Sequence, residues 1–266
     1  MRRVLAALDS SPTAPSVLDA AVDLGRLAGA TVEAVHVTDA PAGAPPRIAG
    51  TRGISCRVLT GEVGEALLGE VDAPDVVAAV IGSRSQPDDS RPAGQTALRV
   101  LEQSAKPVLV VPPGVAARPH HVRRVLMPFE GGREASSFVL DQLGGLLRDQ
   151  VDLVVLHVFT GDTAPRMLDR PGPDLAMLSS EFGLRHCPAA SVIDLRAGAV
   201  PRRIDEVCTD ERADLIVLSW SQSMAPGHAA VVRSVLADAL VPVLLLPVPT
   251  PAVPALALGR LPGHGA

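Results

Sequence analysis

Arg2-Arg3-Val4-Leu5, near the start of the chain, recurs as Arg123-Arg124-Val125-Leu126. A second stretch, Pro107-Val108-Leu109-Val110-Val111-Pro112, recurs near the end as Pro242-Val243-Leu244-Leu245-Leu246-Pro247. Three further matches lie between these in the same order: Val35-His36-Val37 with Leu156-His157-Val158, Gly61 with Gly198, and Asp75-Val76-Val77 with Asp214-Leu215-Ile216. Because five collinear matches are hard to obtain by chance, the sequence predicts a tandem duplication.

Apolar runs alternate with helix-period segments in the first copy. The predicted strands are 4–8, 32–37, 54–59, 76–81 and 108–111. The first helix is predicted to have Ser10 or Ser11 as its N-cap, Pro12 at its first position, and its end at Gly29. Further helices are predicted at 62–71 and 96–104. Strands that are apolar throughout and are each followed by a helix favour a parallel sheet covered on both faces, a doubly wound α/β fold.

The second copy repeats this order. Its predicted strands are 125–127, 153–158, 191–195, 215–218 and 243–246, and its predicted helices are 134–147, 201–208 and 230–240. An extra segment, 164–184, is predicted to be a helix interrupted by Pro171-Gly172-Pro173. The corresponding stretch of the first copy, 40–46, is too short and too rich in proline for a helix, so that the crossover after the second strand is predicted to be a loop. The expected organisation is a shortened domain at 1–112, a linker at 113–121, a second domain at 122–247 and a disordered tail at 248–266.

Composition excludes several classes of function. The net charge is −5, aromatic residues make up 2 % and there is no Tyr, so we expect no nucleic-acid partner. No stretch of about 18 uninterrupted apolar residues exists, and we expect no membrane association. The three cysteines (Cys56, Cys187 and Cys208) form no Cys-x-x-Cys pair. This usage indicates a reducing compartment, and hence a cytoplasmic protein.

Several motifs together resemble the universal stress protein family. They are Val4-Leu5-Ala6-Ala7-Leu8-Asp9-Ser10-Ser11, His36-Val37, Gly61 opening a helix, Val80-Ile81-Gly82-Ser83-Arg84, and Lys106-Pro107 followed by the last strand. The resemblance covers 2–112 and 123–247. It implies two Rossmann-like domains, related to the adenine nucleotide alpha hydrolases and packed as a pseudo-dimer. It also implies a role in the stress response, with ATP bound by some members at the carboxyl ends of the strands.

The resemblance also implies a phosphate loop of the pattern Gly, two residues, Gly, nine residues, Gly, then Ser or Thr. The first copy keeps part of this pattern, but Ser85 stands in place of the second Gly, and Asp88 and Asp89 add negative charge to the loop. The loop is thus degenerate. The nucleotide-binding residues that the resemblance implies are Asp9, Val37, Gly82, Arg84, Gly94 and Thr96, with ATP as the ligand.

The second copy departs further from the pattern. Glu130 replaces the acidic residue Asp9, Ser219-Trp220-Ser221-Gln222 replaces the Gly-x-x-Gly, and Ala229 stands in place of the last Gly. A large side chain at Trp220 and a β-carbon at Gln222 are incompatible with close backbone approach to a phosphate. We therefore expect no nucleotide site in this copy.

The remaining histidine and cysteine residues indicate no catalytic or metal-binding role. His36 and His157 are equivalent by repeat, and structural use at a strand end is favoured over a paired metal site. The linker pair His120-His121 and the thiol of Cys187 have no defined role. No Walker loop, no Gly-x-Ser-x-Gly elbow and no zinc spacing is present, so that neither a catalytic constellation nor a metal site is identified.

Two functions remain open. The first is a non-enzymatic stress-response or regulatory protein in which the two domains pair through their last strands, 108–111 against 241–243, with an unknown protein partner and room for a further homodimer. The second is a sensor that binds ATP in the cleft of the first domain and is able to hydrolyse it slowly. A variant of the second is a site for another nucleotide or metabolite.

Overall fold

The fold is known from a computed structural model, which describes residues 1–38, 53–83, 93–115, 122–129, 133–147, 151–159, 192–224 and 229–248. The strands are β1 Arg3–Ala7, β2 Thr31–Thr38, β3 Cys56–Thr60, β4 Val76–Gly82, β5 Val108–Val111, β6 Arg124–Phe129, β7 Asp152–Phe159, β8 Val192–Ala197, β9 Leu215–Trp220 and β10 Val243–Pro247. The helices are α1 Ala14–Ala28, α2 Val63–Val71, α3 Gln95–Gln103, α4 Arg133–Leu146, α5 Val200–Asp210 and α6 Ala230–Asp238. Each corresponds to a predicted element. The predicted loop at 40–46, the helix at 164–184 and the tail beyond 248 lie outside the described residues.

All ten strands form one sheet, in the order β3-β2-β1-β4-β5-β10-β9-β6-β7-β8. Neighbours are parallel throughout, except that β5 and β10 are antiparallel. The first half (β1–β5) and the second half (β6–β10) therefore show the same doubly wound order, third-second-first-fourth-fifth. The predicted α/β fold class is confirmed.

The two halves meet where β5 and β10 pair. Val243 lies opposite Val110, and Leu245 lies opposite Val108. Pairing through the last strands was predicted, with residues 241–243 opposite β5. In the structure residues 243–245 lie opposite β5, so the predicted register is wrong. All four residues of β5 are buried, so the junction joins the two halves through an apolar seam.

The start of α1 differs from the prediction. Its N-cap is Thr13, not Ser10 or Ser11, and Pro12 lies before the helix. The cause is Asp9, whose Oδ1 accepts a hydrogen bond from the Ser11 amide at 3.0 Å and another from the Ser11 hydroxyl. This Asx-type turn uses the serine that would have capped the helix. The end was predicted correctly, because Gly29 takes a left-handed φ of 57°.

Each face of the sheet carries a core that runs through both halves. One core joins α1 and α4 to strand residues such as Val4 and Leu244. The other joins α2, α3, α5 and α6 to the alternate strand residues, such as Leu5 and Val243. Strands buried on both faces are apolar at every position, which explains why the sequence pattern located them. No helix within the described ranges is both long enough and apolar enough to cross a membrane.

A cleft at the switch point of the first half

A cavity of about 570 Å³ opens at the carboxyl ends of β1, β2 and β4. It lies between β1 and β4, where the strand order of the first half reverses, which is the position at which doubly wound sheets bind ligands. Its walls come from three strands and three helices, and the lining residues are Ala7, Leu8, Asp9, Thr13, Val17, Val35, His36, Val37, Val63, Leu67, Ile81, Gly82, Ser83, Gly94, Gln95, Thr96, Ala97 and Val100.

Five of the six residues implied for nucleotide binding line this one cavity. They come from four separate elements or their ends, and they are Asp9, Val37, Gly82, Gly94 and Thr96. Arg84, the sixth, lies outside the described residues, as do Ser85, Asp88 and Asp89 of the degenerate loop. The fold thus gathers the described members of the set, while binding itself stays a prediction.

The N-terminus of α3 opens into the cavity. Gly94 is its N-cap, in an extended conformation, and its amide donates to the carbonyl of Ser83 at 2.7 Å. The next amides, from Gln95 onward, have no partner within the helix, and no side chain caps this end of α3 among the described residues. An uncapped helix N-terminus carries partial positive charge and attracts anions.

Neither glycine of the cleft is required by the protein's own conformation. A β-carbon at Gly82 would lie 3.5 Å from Thr13 Oγ1, and one at Gly94 would lie 3.7 Å from the Ser83 carbonyl oxygen. Both are ordinary contacts, and neither residue has a positive φ. Without a β-carbon, both positions leave space open beside the cleft backbone.

Ser83 is a residue that the sequence analysis did not assign to the site. Its side chain is 1 % exposed, and its Oγ has no hydrogen-bond partner among the described residues. Leaving a buried hydroxyl unpaired costs about 1–3 kcal/mol, so the position is unfavourable unless a further group enters the cleft. Its place directly after Gly82 was the only signal available in the sequence.

His36 lies at the opposite end of the lining, beside Asp9 and Val37. Its Nδ1–H donates to the Leu8 carbonyl at 2.8 Å, and His157 donates in the same way to the Phe129 carbonyl at 3.0 Å. The two bonds tie the second strand of each half to its first strand. Each histidine thus has a structural use at its strand end. Within the described ranges no group of three His, Cys, Asp or Glu side chains could hold a metal ion.

The equivalent cleft of the second half is smaller and more apolar, at about 200 Å³. Phe129 and Phe159 both pack edge-on against His157, with ring centroids 6.4 and 4.6 Å away. Ser219 faces Leu246 across the sheet as Gly82 faces Val111, so a serine stands where the first half has its first cleft glycine. Glu130 and Gly227 lie outside the described residues.

Trp220 and Gln222 have a role that the sequence analysis missed. Trp220 is 2 % exposed, and its Nε1–H donates to the Leu101 carbonyl of α3 at 2.8 Å. The side-chain amide of Gln222 donates to the Ser104 carbonyl at 2.7 Å. The backbone of Gln222 has a left-handed φ of 59°. The segment that replaces the phosphate loop therefore packs against the first half.

Comparison with known proteins agrees with this architecture. Residues 1–51 match the sequence model of the universal stress protein family. A functionally unknown protein from Pseudomonas aeruginosa PAO1 superposes with a TM-score of 0.62 at 14 % identity, covering 93 % of this chain and 92 % of the other. A universal stress protein from Archaeoglobus fulgidus DSM 4304 gives 0.61 at 14 % identity, covering 91 % and 95 %. The fold is that of universal stress proteins. No curated protein matches the sequence significantly.

The universal stress fold extends well beyond the matched segment. A proposed universal stress protein from Pseudomonas aeruginosa UCBPP-PA14 superposes with a TM-score of 0.60 at 15 % identity, covering 93 % of each chain. The matched residues 1–51 include β1, α1 and β2, and thus Asp9, which lies between β1 and α1, and Val37 on β2. At this level of identity the superposition supports the fold, and the chemistry rests on the cleft itself.

Proposed function

We propose that this chain is a tandem universal stress protein, non-enzymatic and regulatory, that binds an adenine nucleotide in the cleft of its first half and none in the second. One observation carries the proposal: the buried, unpaired Ser83 hydroxyl lies with the uncapped N-terminus of α3 in a 570 Å³ cleft at the switch point of the sheet. Both features need an anionic hydrogen-bond acceptor, and a phosphate group supplies one.

The tandem arrangement is supported by features that recur in both halves. The turns after β3 and β8 place Gly61 at φ 127° and Gly198 at φ 124°, a conformation that only glycine adopts easily. His36 and His157 make the same hydrogen bond, and the strand order is the same. A domain at 1–112, a linker at 113–121 and a domain at 122–247 remain our proposed boundaries.

The base end of the cleft suits adenine. Val37, Leu67 and Ile81 supply apolar walls for a ring, and the carboxylate of Asp9 at the end of β1 can accept a hydrogen bond from an exocyclic amino group. Asp9 is held in place by its bonds from Ser11. A guanine ring presents a carbonyl at that position, which a carboxylate repels, so the cleft should prefer adenine.

The polar groups of the described lining support binding without turnover. Its titratable side chains, among the described residues, are Asp9 and His36. The Nδ1–H of His36 is bound to the Leu8 carbonyl, and Asp9 is engaged by Ser11. Phosphoryl transfer requires a group that orients water and cations that neutralise the developing charge. The alternative, slow hydrolysis by an ATP sensor, uses the same cleft and is distinguished by release of inorganic phosphate.

Thermal unfolding in the presence of ATP–Mg²⁺ tests the proposal. A ligand at one hundred times its Kd stabilises the protein by about 2.7 kcal/mol, and GTP–Mg²⁺ should give a smaller shift. Gly94→Val should abolish the shift, because its side chain covers the amides of α3. Gly69→Val is the matched control, since a β-carbon on the exposed Gly69 meets nothing within 4 Å. No shift for the natural protein at millimolar ATP would overturn the proposal.

A further inference from the structure

We infer that helix α3 couples nucleotide binding in the first-half cleft to the packing of the second half against α3. The coupling acts through hydrogen bonds that Trp220 and Gln222 make to the C-terminal end of α3. The inference rests on the proposed function and concerns the regulation of the same site. It assigns a role to the segment 220–224, which replaces a phosphate loop and is named the clamp segment below.

The clamp segment binds the carbonyl end of α3. Trp220 Nε1 lies 2.8 Å from the Leu101 oxygen, and Gln222 Nε2 lies 2.7 Å from the Ser104 oxygen. The backbone amide of Met224 also donates to Glu102 Oε1 at 3.2 Å. The last four carbonyls of a helix lack intrahelical partners, so two of the four at this end receive their hydrogen bonds from the second half of the chain.

The two ends of α3 therefore have different partners. The N-terminal end, from Gly94 to Ala97, lines the cleft of the first half. The C-terminal end is held by the clamp segment. With 9 residues α3 is about 14 Å long, and an isolated helix of this length is unstable in water. Its complete folding depends on tertiary contacts and on the groups that satisfy its ends.

This dependence gives the coupling its sign. An anion at the N-terminus and N–H donors at the C-terminus each favour the fully formed helix, because each complements the helix dipole and satisfies orphan backbone groups. Two groups that favour the same state strengthen one another's binding, and the effect is reciprocal. Nucleotide binding should strengthen the hydrogen bonds between the clamp segment and α3, and loss of those hydrogen bonds should weaken nucleotide binding.

The packing around Trp220 makes it part of the same unit as α3. Leu101, Trp220 and Leu236 of α6 belong to the same buried core cluster, and the indole Nε1–H also donates to the Leu101 carbonyl. The left-handed φ of Gln222 is an unfavourable conformation for a residue with a β-carbon.

The chain contains a single Trp, so intrinsic fluorescence reports on the clamp segment alone. Titration of the full chain with ATP–Mg²⁺ should give a saturable change in Trp220 emission with the same Kd as isothermal calorimetry. Gly94→Val should abolish both signals. Calorimetric binding without any emission change would overturn the coupling and leave the proposed nucleotide site intact. The absence of calorimetric binding would overturn both.

Affinity measurements on clamp variants test the reciprocal effect. Gln222→Gly removes the amide donor and suits the positive φ, so it should fold normally and weaken ATP binding by calorimetry about fivefold or more. Trp220→Phe removes the Nε1–H donor and should act in the same direction. Ser221→Ala, within the same segment but without a hydrogen bond to α3 among the described contacts, is the matched control. Unchanged affinity in folded Gln222→Gly would contradict the inference.

Discussion

The amide of Gly94 donates to the carbonyl of Ser83 at 2.7 Å and so joins the two ends of the loop between β4 and α3. This bond fixes the Ser83 backbone beside the N-terminus of α3, while the Ser83 hydroxyl stays buried without a partner in the described part of the chain. An arrangement that is unfavourable for the free protein and would suit a ligand supports the proposed nucleotide site.

Ser83→Ala should therefore separate stability from binding. Removal of an unpaired buried hydroxyl should leave the free energy of unfolding unchanged or raise it by about 1 kcal/mol, since no hydrogen bond is lost. ATP binding should weaken, because the ligand loses a donor. Chemical denaturation without ligand and calorimetry with ATP–Mg²⁺ measure the two effects.

Ser16→Ala is the matched control for this substitution. The Ser16 hydroxyl is also buried, but it donates to the Val115 carbonyl at 2.6 Å. Its loss should destabilise the protein by about 1 kcal/mol and leave ATP affinity unchanged. A destabilised Ser83→Ala with normal ATP affinity would contradict the assignment of Ser83 to the site.

The sequence located the strands and the turn glycines Gly61 and Gly198 for physical reasons that are local. Strands buried on both faces are apolar throughout, and β5 was predicted residue for residue. Gly61 and Gly198 stood out through the repeat, and both have positive φ. The N-cap of α1 was predicted wrongly because Ser11 can either cap the helix or bond to Asp9. The sequence alone does not show which of the two interactions is more stable.

The role of Trp220 could not be read from the sequence. Its partner, Leu101, lies on a helix of the other half, and the contact exists only because β5 and β10 pair and bring α3 beside the clamp segment. Local pattern predicts that a large side chain is incompatible with a phosphate loop. What it could not supply was the geometry between the two halves.

Ala229→Gly should stabilise the protein. Ala229 is the N-cap of α6 and has a left-handed φ of 51°, a conformation that costs a residue with a β-carbon about 1–2 kcal/mol. Part of the gain is offset by the greater freedom of glycine in the unfolded chain, so we expect about 0.5–1 kcal/mol in urea denaturation.

Its neighbour provides the control for this substitution. Ala230→Gly changes the first residue of α6, which is exposed and helical. Glycine lowers helix propensity there by up to about 1 kcal/mol, so this variant should be less stable than the natural protein. If both variants were destabilised, the left-handed conformation at 229 would be refuted.

Asp75→Asn should make the stability of the protein depend less on pH in the acid range. Arg3 holds Asp75 through two bonds, Nε to Oδ2 at 2.8 Å and Nη2 to Oδ1 at 3.0 Å. These hydrogen bonds, and then the charge of Arg3, lower the pKa of Asp75 below its ordinary value of 3.8. A carboxyl whose pKa is lower in the folded state stabilises above its unfolded pKa and loses this contribution as pH falls through the folded pKa.

The thermal midpoint of Asp75→Asn should accordingly lie below that of the natural protein at pH 6, and the gap should close as pH falls below the ordinary value of 3.8 and through the lower folded pKa. Asp141→Asn is a suitable control, because Asp141 lies exposed on α4 and no ion pair to it is seen among the described residues. A gap that stayed constant down to pH 2 would show that Asp75 acts through something other than its charge.

Cys208 should react slowly with alkylating reagents at neutral pH. Burial on α5, and then the nearby carboxylates of Asp205 and Asp214, raise the pKa of the Cys208 thiol to about 11. Because the thiolate is the nucleophile, only about one molecule in a thousand is reactive at pH 8. Iodoacetamide labelling followed by peptide mass spectrometry should show a rate that rises about tenfold per pH unit up to pH 11.

The raised pKa of Cys208 also makes the stability of the protein depend on pH in the alkaline range. A thiol whose pKa is raised by folding stabilises the folded state below its unfolded pKa, near 9, and this contribution is lost as pH rises toward 11. Asp205→Asn removes one of the two charges, so it should lower the thiol pKa and speed labelling at pH 8. Arg202→Gln, three residues before Asp205 on α5 and paired with Glu206, leaves both carboxylates beside Cys208 in place and should label at the natural rate. Rapid labelling of the folded natural protein at pH 7 would mean that Cys208 is activated, and the buried environment assigned to it would be wrong.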